Sequence, residues 1–223
     1  MNSFFTVAFQ NMHPDDKESF YKTIFLNDSS EYAMQLRRTY YAEVLKSMGQ
    51  NVKIGVGVKI VNPQYISLGD NVTIGDYVTL IARGIGGISI SHNTILKDRV
   101  YLDTERADTG YINVDSDVYI GTGTTLFGHN GLEIGDHVLM AQNITLTPYS
   151  HIFEDSGTNI IEQGGHSQKV VIGRDSYIGM STCIMYSGNI GEGSVIGAGS
   201  VVVKPIPAYS VAVGNPAKVI RVR

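Results

Sequence analysis

The sequence predicts an all-β solenoid, a stack of triangular coils preceded by a helical N-terminal segment. Three observations predict it. Large apolar residues recur at every sixth position over most of the chain, Gly or another small residue often follows them, and a composition of 25 Gly, no Trp and only 17% charged residues is rich in turns. A length of 223 residues allows one elongated domain, and 43% hydrophobic residues are enough to fill its core.

The N-terminal part reads differently from the rest. Residues 14–48 have helical character: Asp28 and Glu31 stand at capping-box spacing, Ala33, Leu36, Tyr40, Val44 and Met48 recur every three or four residues as one apolar stripe, and Gly49 supplies a stop. The opposite face mixes both signs of charge, so the stripe is expected to pack on protein and not on a membrane. The expected organisation is a helical segment at 1–50, packing on the body or on a neighbouring subunit, then a solenoid domain at 51–223 with an inserted loop at 147–170.

In the solenoid, Ile, Leu, Val or Met falls at 68, 74 and 80; at 90, 96 and 102; at 114, 120 and 126; at 134, 140 and 146; and at 172, 178, 184, 190, 196 and 202. A six-residue period fits neither a 3.6-residue helix nor a two-sided strand, but it suits a short strand and a corner, repeated until three sides close a triangle. The small residue after each large one, as in Leu68-Gly69 or Ile120-Gly121, is expected to let the chain turn. Coil starts at 68, 90, 114, 134, 172 and 190 are separated by 22, 24, 20, 38 and 18 residues, so the corners carry insertions of 4, 6, 2, 20 and 0. The longest follows Leu146 and contains His151. Long loops in compact domains are uncommon and often functional.

Bulk properties exclude several classes. A net charge of −4 and a pI near 5.8 argue against general nucleic-acid binding, which shows itself as a basic surface. No run approaches the roughly 18 apolar residues of a membrane span, and the N-terminus lacks a basic region before a long apolar core, so a cytoplasmic protein with no membrane insertion is expected. Cys183, the only cysteine, cannot form an internal disulfide, in keeping with a reducing compartment.

The stretch KVVIGRDSYIGMSTCIMYSGNIGEGSVIGAGSVVVKPIPAYSVAVGNPAKVIR, and above all its closing IGAGSVV through VGNPAKVIR, carries a family resemblance. Residues 52–223 resemble the hexapeptide-repeat acyltransferases, in particular the sugar O-acetyltransferases of the maltose and galactoside branch and of the O-antigen and exopolysaccharide branch. The resemblance implies a left-handed parallel β-helix, a homotrimer with acetyl-CoA held between neighbouring prisms, and a sugar or glycan acceptor in surface-polysaccharide or glycan biosynthesis. In the family, Asn-Val-Thr-Ile, four further residues and then His carry the catalytic base. Here Asn143-Ile144-Thr145-Leu146 and Thr147-Pro148-Tyr149-Ser150 lead to His151. Lys204, Lys218 and Arg221 match family positions near the nucleotide of the cofactor, and Gly179 and Ala198 match backbone contacts to its pantetheine arm. Two departures stand out. Thr122-Gly123-Thr124 replaces a coil in which the maltose and galactoside branch has Asn, and Tyr177 stands where relatives commonly have Trp.

The residue types suit the implied chemistry. A hydroxyl acceptor needs a base to take its proton, and neutral imidazole, with an unperturbed pKa of about 6.5, works near neutral pH. The turn at Gly179-Met180 is expected to offer an N–H to the tetrahedral oxyanion. His129 and Asn130, in FGHNG, are expected to line the acceptor site; Glu154 or Asp155 is expected to orient the imidazole; His166 lies in the same loop; His13, His92 and His137 read as surface residues. A three-histidine zinc site would need a close histidine pair that the spacings 129, 137, 151 and 166 do not supply, so no metal is expected. Cys183 follows the inward Thr182 and points outward, with no adjacent histidine to activate it. The glycine-rich GIGG at 84–87 precedes no helix and does not fit a phosphate loop. The leading expectation is an acetyl-CoA-dependent sugar O-acetyltransferase. The alternatives are an N-acetyltransferase of a nucleotide-linked amino sugar and a non-catalytic trimeric scaffold.

Overall fold

A computed structural model describes residues 10–20 and 27–223; the part of the expected helical stretch at 21–26 lies outside the described residues. Among the described residues two helices, α1 (Pro14–Phe20) and α2 (Glu31–Val44), precede the sheets. The cap of α2 is Ser30, whose hydroxyl accepts the Ala33 N–H at 3.2 Å, while Asp28 accepts the Ser30 N–H at 2.8 Å. The expected Asp28 cap is therefore displaced by two residues. The helix also ends at Val44, short of Met48, because Ser47 and Met48 already pair as a strand with Ser67 and Leu68.

Burial along α2 explains why the apolar stripe was an incomplete guide. Ala33, Leu36 and Tyr41 are buried, and Arg37 joins them with 1% of its surface exposed. Its Nε donates to the Ile54 carbonyl at 3.0 Å and its Nη1 to the Asp28 carbonyl at 2.7 Å. The first coil of a solenoid has no preceding coil to satisfy its outward backbone groups, and the guanidinium supplies donors that an apolar side chain lacks.

The body has three faces, sheets of six, nine and seven strands. Face one runs from Ser47–Met48 to Val170–Ile172, face two from Lys53–Ile54 to Lys218–Val222, and face three from Lys59–Val61 to Val201–Val202. Pairing is parallel throughout, except that the last strand of face two turns back antiparallel on Ser210–Val213. The register follows the six-residue period: Leu68 stacks on Ile90, Ile90 on Val114, Val114 on Ile134, and Ile134 on Ile172, which bridges to Ile190. These residues are at most 3% exposed. The coils form a left-handed parallel β-helix with a column of aliphatic side chains along each inner edge, and each fully buried Ile or Leu contributes roughly 1.5–3 kcal/mol.

The glycines after the large apolar residues serve a different purpose from the one expected. The left-handed backbone falls later in each corner, at Asn71, Tyr77, Asn93, Arg99, Asp117, Asn143 and Asp175, with φ near 54–60°. Gly is needed at the earlier position for space: a Cβ on Gly75 would lie 2.8 Å from the Asp98 nitrogen, and one on Gly179 would lie 2.5 Å from the Ala198 nitrogen. Adjacent coils approach too closely there for a side chain. Asn at the left-handed position adds a ladder of its own, Asn51 to Asn71 at 3.2 Å and Asn71 to Asn93 at 3.0 Å, ending on Asp117 at 3.0 Å.

All of the longer insertions leave from one corner, the turn from face three to face one, at 82–87, 104–111, 128–131 and 147–169. The strand of face one resumes at Val170 after the longest of them. No helix among the described residues is long and apolar enough to cross a membrane.

Candidate functional site

The corner between faces three and one is built from a buried carboxylate outward. Asp103 ends the strand Tyr101–Asp103 with none of its surface exposed. Arg83 grips both oxygens, Nε to Oδ1 at 2.8 Å and Nη2 to Oδ2 at 2.7 Å; the Glu105 N–H donates to Oδ1 at 2.8 Å and the Tyr101 hydroxyl to Oδ2 at 3.0 Å. Burial alone would raise the Asp103 carboxyl, but the Arg83 bonds and the two further donors outweigh it and hold the group below its ordinary value.

Above that base the rings form a chain. Tyr101 meets Phe127 at 6.0 Å and 65°, and Phe127 meets His129 at 6.0 Å and 65°. His129 stacks on Tyr149 at 4.9 Å and 18°, and Tyr149 stands perpendicular to His151 at 5.0 Å and 90°. Burial lowers the His129 pKa, and its Nδ1 is sealed from solvent with no hydrogen-bond partner among the described residues. Any contact of His129 with an acceptor must therefore use Nε2. Asn130 is half-buried beside it in the turn 128–131.

His151 is exposed at the end of the strand Tyr149–His151, which pairs antiparallel with Gly165–Ser167. The register sets Tyr149 across from Ser167, Ser150 across from His166, and His151 across from Gly165. Alternate residues point to opposite sides of such a ribbon, so Tyr149 and His151 share one side and His166 takes the other. The loop returns through Lys169, which donates to Glu133 at 3.1 and 3.2 Å; the Tyr111 hydroxyl donates to the same carboxylate at 2.9 Å and, by burial first and that bond second, is pushed up to about 12.

The carboxylates expected beside His151 are occupied elsewhere. Glu154 accepts the Phe153 N–H at 3.0 Å, and Asp155 accepts the Thr158 hydroxyl at 2.7 Å and the Gly157 N–H at 2.8 Å, bonds that lower its pKa. Among the described residues no side chain hydrogen-bonds the His151 imidazole; its neighbour is the Tyr149 ring, which the sequence reading passed over. A signal was present. Leu126 stacks on Leu146, and extending that register by three residues brings His129 onto Tyr149.

The residues expected around a cofactor lie along the C-terminal coils. Gly179 and Ala198 sit at the corner between faces two and three in adjacent coils. The Gly179 N–H donates to the Ile196 carbonyl at 2.8 Å in the ladder between coils, so of the turn Gly179-Met180 only the Met180 N–H is left without an acceptor among the described residues. Its carbonyl accepts the Thr182 hydroxyl at 2.7 Å. Ala198 is exposed, and its N–H has no acceptor among the described residues. Lys204, Lys218 and Arg221 are exposed, and none joins an ion pair among the described residues. A bulge in the terminal hairpin sets Lys218 across from Val213 and Arg221 across from Val211, two residues on the same side of their strand, although a spacing of three would otherwise separate them. A cavity of about 740 Å³ lies against α2 and one of about 980 Å³ against α1 and α2, and none of these residues lines either. Among the described residues no group of three or more His, Cys, Asp or Glu is arranged to hold a metal ion.

No protein-family model matches the chain. A probable acetyltransferase of Mycobacterium tuberculosis is 33% identical over 166 residues, 74% of this chain and 54% of that protein. The galactoside O-acetyltransferase of Escherichia coli is 36% identical over 114 residues, 49% of this chain and 53% of that protein. The chain spans about half the length of these two relatives. The dTDP-4-amino-4,6-dideoxy-D-glucose acyltransferase of Escherichia coli is 30% identical over 178 residues, 80% of this chain and 82% of that protein. Among solved structures, the N-acyltransferase AntD from Bacillus cereus, in complex with dTDP and coenzyme A, aligns with a TM-score of 0.58 at 22% identity, covering 88% of this chain and 91% of that one. The UDP-N-acetylglucosamine acyltransferase from Campylobacter jejuni aligns with a TM-score of 0.62 at 20% identity, covering 79% and 63%. These two likenesses establish the fold. With coils of six-residue sides stacked in register and a relative aligned over four-fifths of both chains, the protein belongs to the hexapeptide-repeat acyltransferase family.

Proposed function

We propose that the chain transfers acetyl from acetyl-CoA to a sugar hydroxyl, with His151 as general base, in surface-polysaccharide or glycan biosynthesis. The observation that carries the reading is the placement of His151: an exposed imidazole at the mouth of the longest insertion, held on a ribbon that leaves the coil directly after Asn143-Ile144-Thr145-Leu146. The imidazole takes the proton of the acceptor hydroxyl as its oxygen attacks the thioester carbonyl. The tetrahedral oxyanion then collapses, the carbon–sulfur bond breaks, and the imidazolium returns the proton to the departing thiolate. His129, Asn130 and Glu154 border the acceptor side in this reading.

The C-terminal coils have the chemistry for coenzyme A. Lys204, Lys218 and Arg221 offer three exposed cations on an otherwise acidic chain, Ala198 offers a backbone N–H to the pantetheine arm, and the missing side chain at Gly179 leaves the corner between faces two and three narrow. With Gly179 and Ala198 at one corner and His151 at another, a site using all three is completed by a second copy, which favours a homotrimer with the helical segment 1–50 packed on the body or a neighbour.

A second reading has its own support. The relative aligned over 82% of its length is an acyltransferase named for a dTDP-linked amino sugar, which favours transfer to an amine and a cytoplasmic nucleotide-sugar pool. The test is thiol release from acetyl-CoA against sugars and against nucleotide-linked amino sugars. The O-transfer reading expects turnover with hydroxyl acceptors and a loss of about 10²- to 10⁴-fold in His151→Ala. Turnover with amino sugars alone, little affected by that substitution, selects the N-transfer reading. Trimeric protein whose melting midpoint acetyl-CoA does not raise would leave only a scaffold.

A further inference from the structure

We propose that Tyr149 is the positioning residue for His151, and that His129 backs it as the fixed ring of a three-ring stack; this rests on His151 being the base. A general base must be held within a narrow range of position, and histidines in active sites are commonly held by a carboxylate on the second nitrogen. Here the two nearby carboxylates cap their own loop, and ring packing takes their place.

The geometry is specific. His129 and Tyr149 belong to successive coils in continued register, so their 4.9 Å separation is close to the ~4.8 Å spacing between paired strands. The stack is thus an extension of the solenoid's own ladder, carried past the last backbone pair into the loop. His129 is itself pinned: Phe127 packs against it at 6.0 Å, Tyr101 packs against Phe127, and the Tyr101 hydroxyl is tied to the buried Asp103 at 3.0 Å. Desolvation favours the neutral His129 ring, which suits a face-to-face stack better than a buried cation. Tyr149 then presents its ring at 90° to His151, two residues on along the same side of the ribbon, and limits the rotation of an imidazole that is otherwise open to solvent.

Gly165 completes the device. It faces His151 across the ribbon, so no side chain crowds the imidazole. A Cβ there would overlap the Tyr149 hydroxyl and ring, so any larger residue drives Tyr149 from its place.

Four variants test the proposal in the full-length protein, each checked for an unchanged melting midpoint. Tyr149→Ala lowers kcat by about 10- to 100-fold with the KM for acetyl-CoA nearly unchanged, and Gly165→Ala gives a loss of the same kind. Tyr149→Phe, which keeps the ring, recovers most of the rate. His129→Ala gives a smaller loss of kcat. A second readout needs no acceptor: the His151 ring-proton resonances, identified by their disappearance in His151→Ala, shift in Tyr149→Ala and stay in place in Tyr149→Phe. If His151→Ala is inactive while Tyr149→Ala and Gly165→Ala keep wild-type kcat and unshifted His151 resonances, the positioning role is overturned and the base stands. If His151→Ala itself keeps full rate, the reading on which the proposal rests is what fails.

Discussion

The two corners that flank face three differ in almost every respect. At the second corner, from face two to face three, Gly121, Gly179 and Gly197 leave no room between coils, and the backbone ladder uses N–H groups such as that of Gly179. At the third corner, from face three to face one, the chain leaves the stack four times, buries a carboxylate held by an exposed arginine and builds a column of rings. The difference shows how a solenoid separates stability from chemistry: repeats contact only their neighbours, so residues can be added along one edge without disturbing the other two.

The comparison can be broken in order of expected effect. Within the stack, Ile120→Ala removes a wholly buried side chain whose coil neighbours cannot collapse around it, and should cost about 2–5 kcal/mol in urea unfolding. A much smaller loss would mean that the stack tolerates voids and is less rigid than its register suggests. At the end of the stack, Arg37→Met leaves the Ile54 and Asp28 carbonyls without these donors and should cost about 1–3 kcal/mol by the same measurement.

At the third corner the effects turn on pH. Asp103 has a folded-state pKa below its unfolded value, so its contribution is complete above the ordinary Asp pKa of about 3.9 and is lost as pH falls through the folded value. Stability followed against pH should lose that acid component in Asp103→Ala. His129, also shifted downward, weakens the fold as pH falls from about 6.5, because the unfolded chain takes up the proton first; His129→Phe should flatten the curve in that range. The smallest effect is expected at Glu133, whose ion pair with Lys169 is partly exposed: Glu133→Gln should change stability by no more than about 1 kcal/mol, although it loosens the return of the loop.

Legibility in the sequence divides along the same line. The coil starts from Leu68 to Ile190 were readable because one inward position on each side of the triangle is filled by a large aliphatic residue, and that constraint repeats every six residues. The break after Leu146 was readable as an interruption of the same rule. The purpose of the glycines was not, since close approach between coils is a contact of residues a whole coil apart in the chain, and a small residue looks the same whether it serves a turn or a tight gap. Arg37 was hidden because a buried arginine answers unpaired carbonyls that only the end of a stack possesses. Tyr149 was hidden because its partners, His129 and Gly165, come from the preceding coil and from the far side of the loop. The neighbours Tyr-Ser-His and Gly-His-Ser carry little of the β-branched and aromatic signature of a strand, so the ribbon they form was not visible either.

The separation of stability from chemistry is tested most directly by one pair of readings on His151→Ala: thiol release from acetyl-CoA with the acceptor that the wild type uses, and the unfolding midpoint. The account predicts a rate lower by at least about 100-fold and a midpoint indistinguishable from wild type. Full turnover, or a chain that no longer folds, would contradict it.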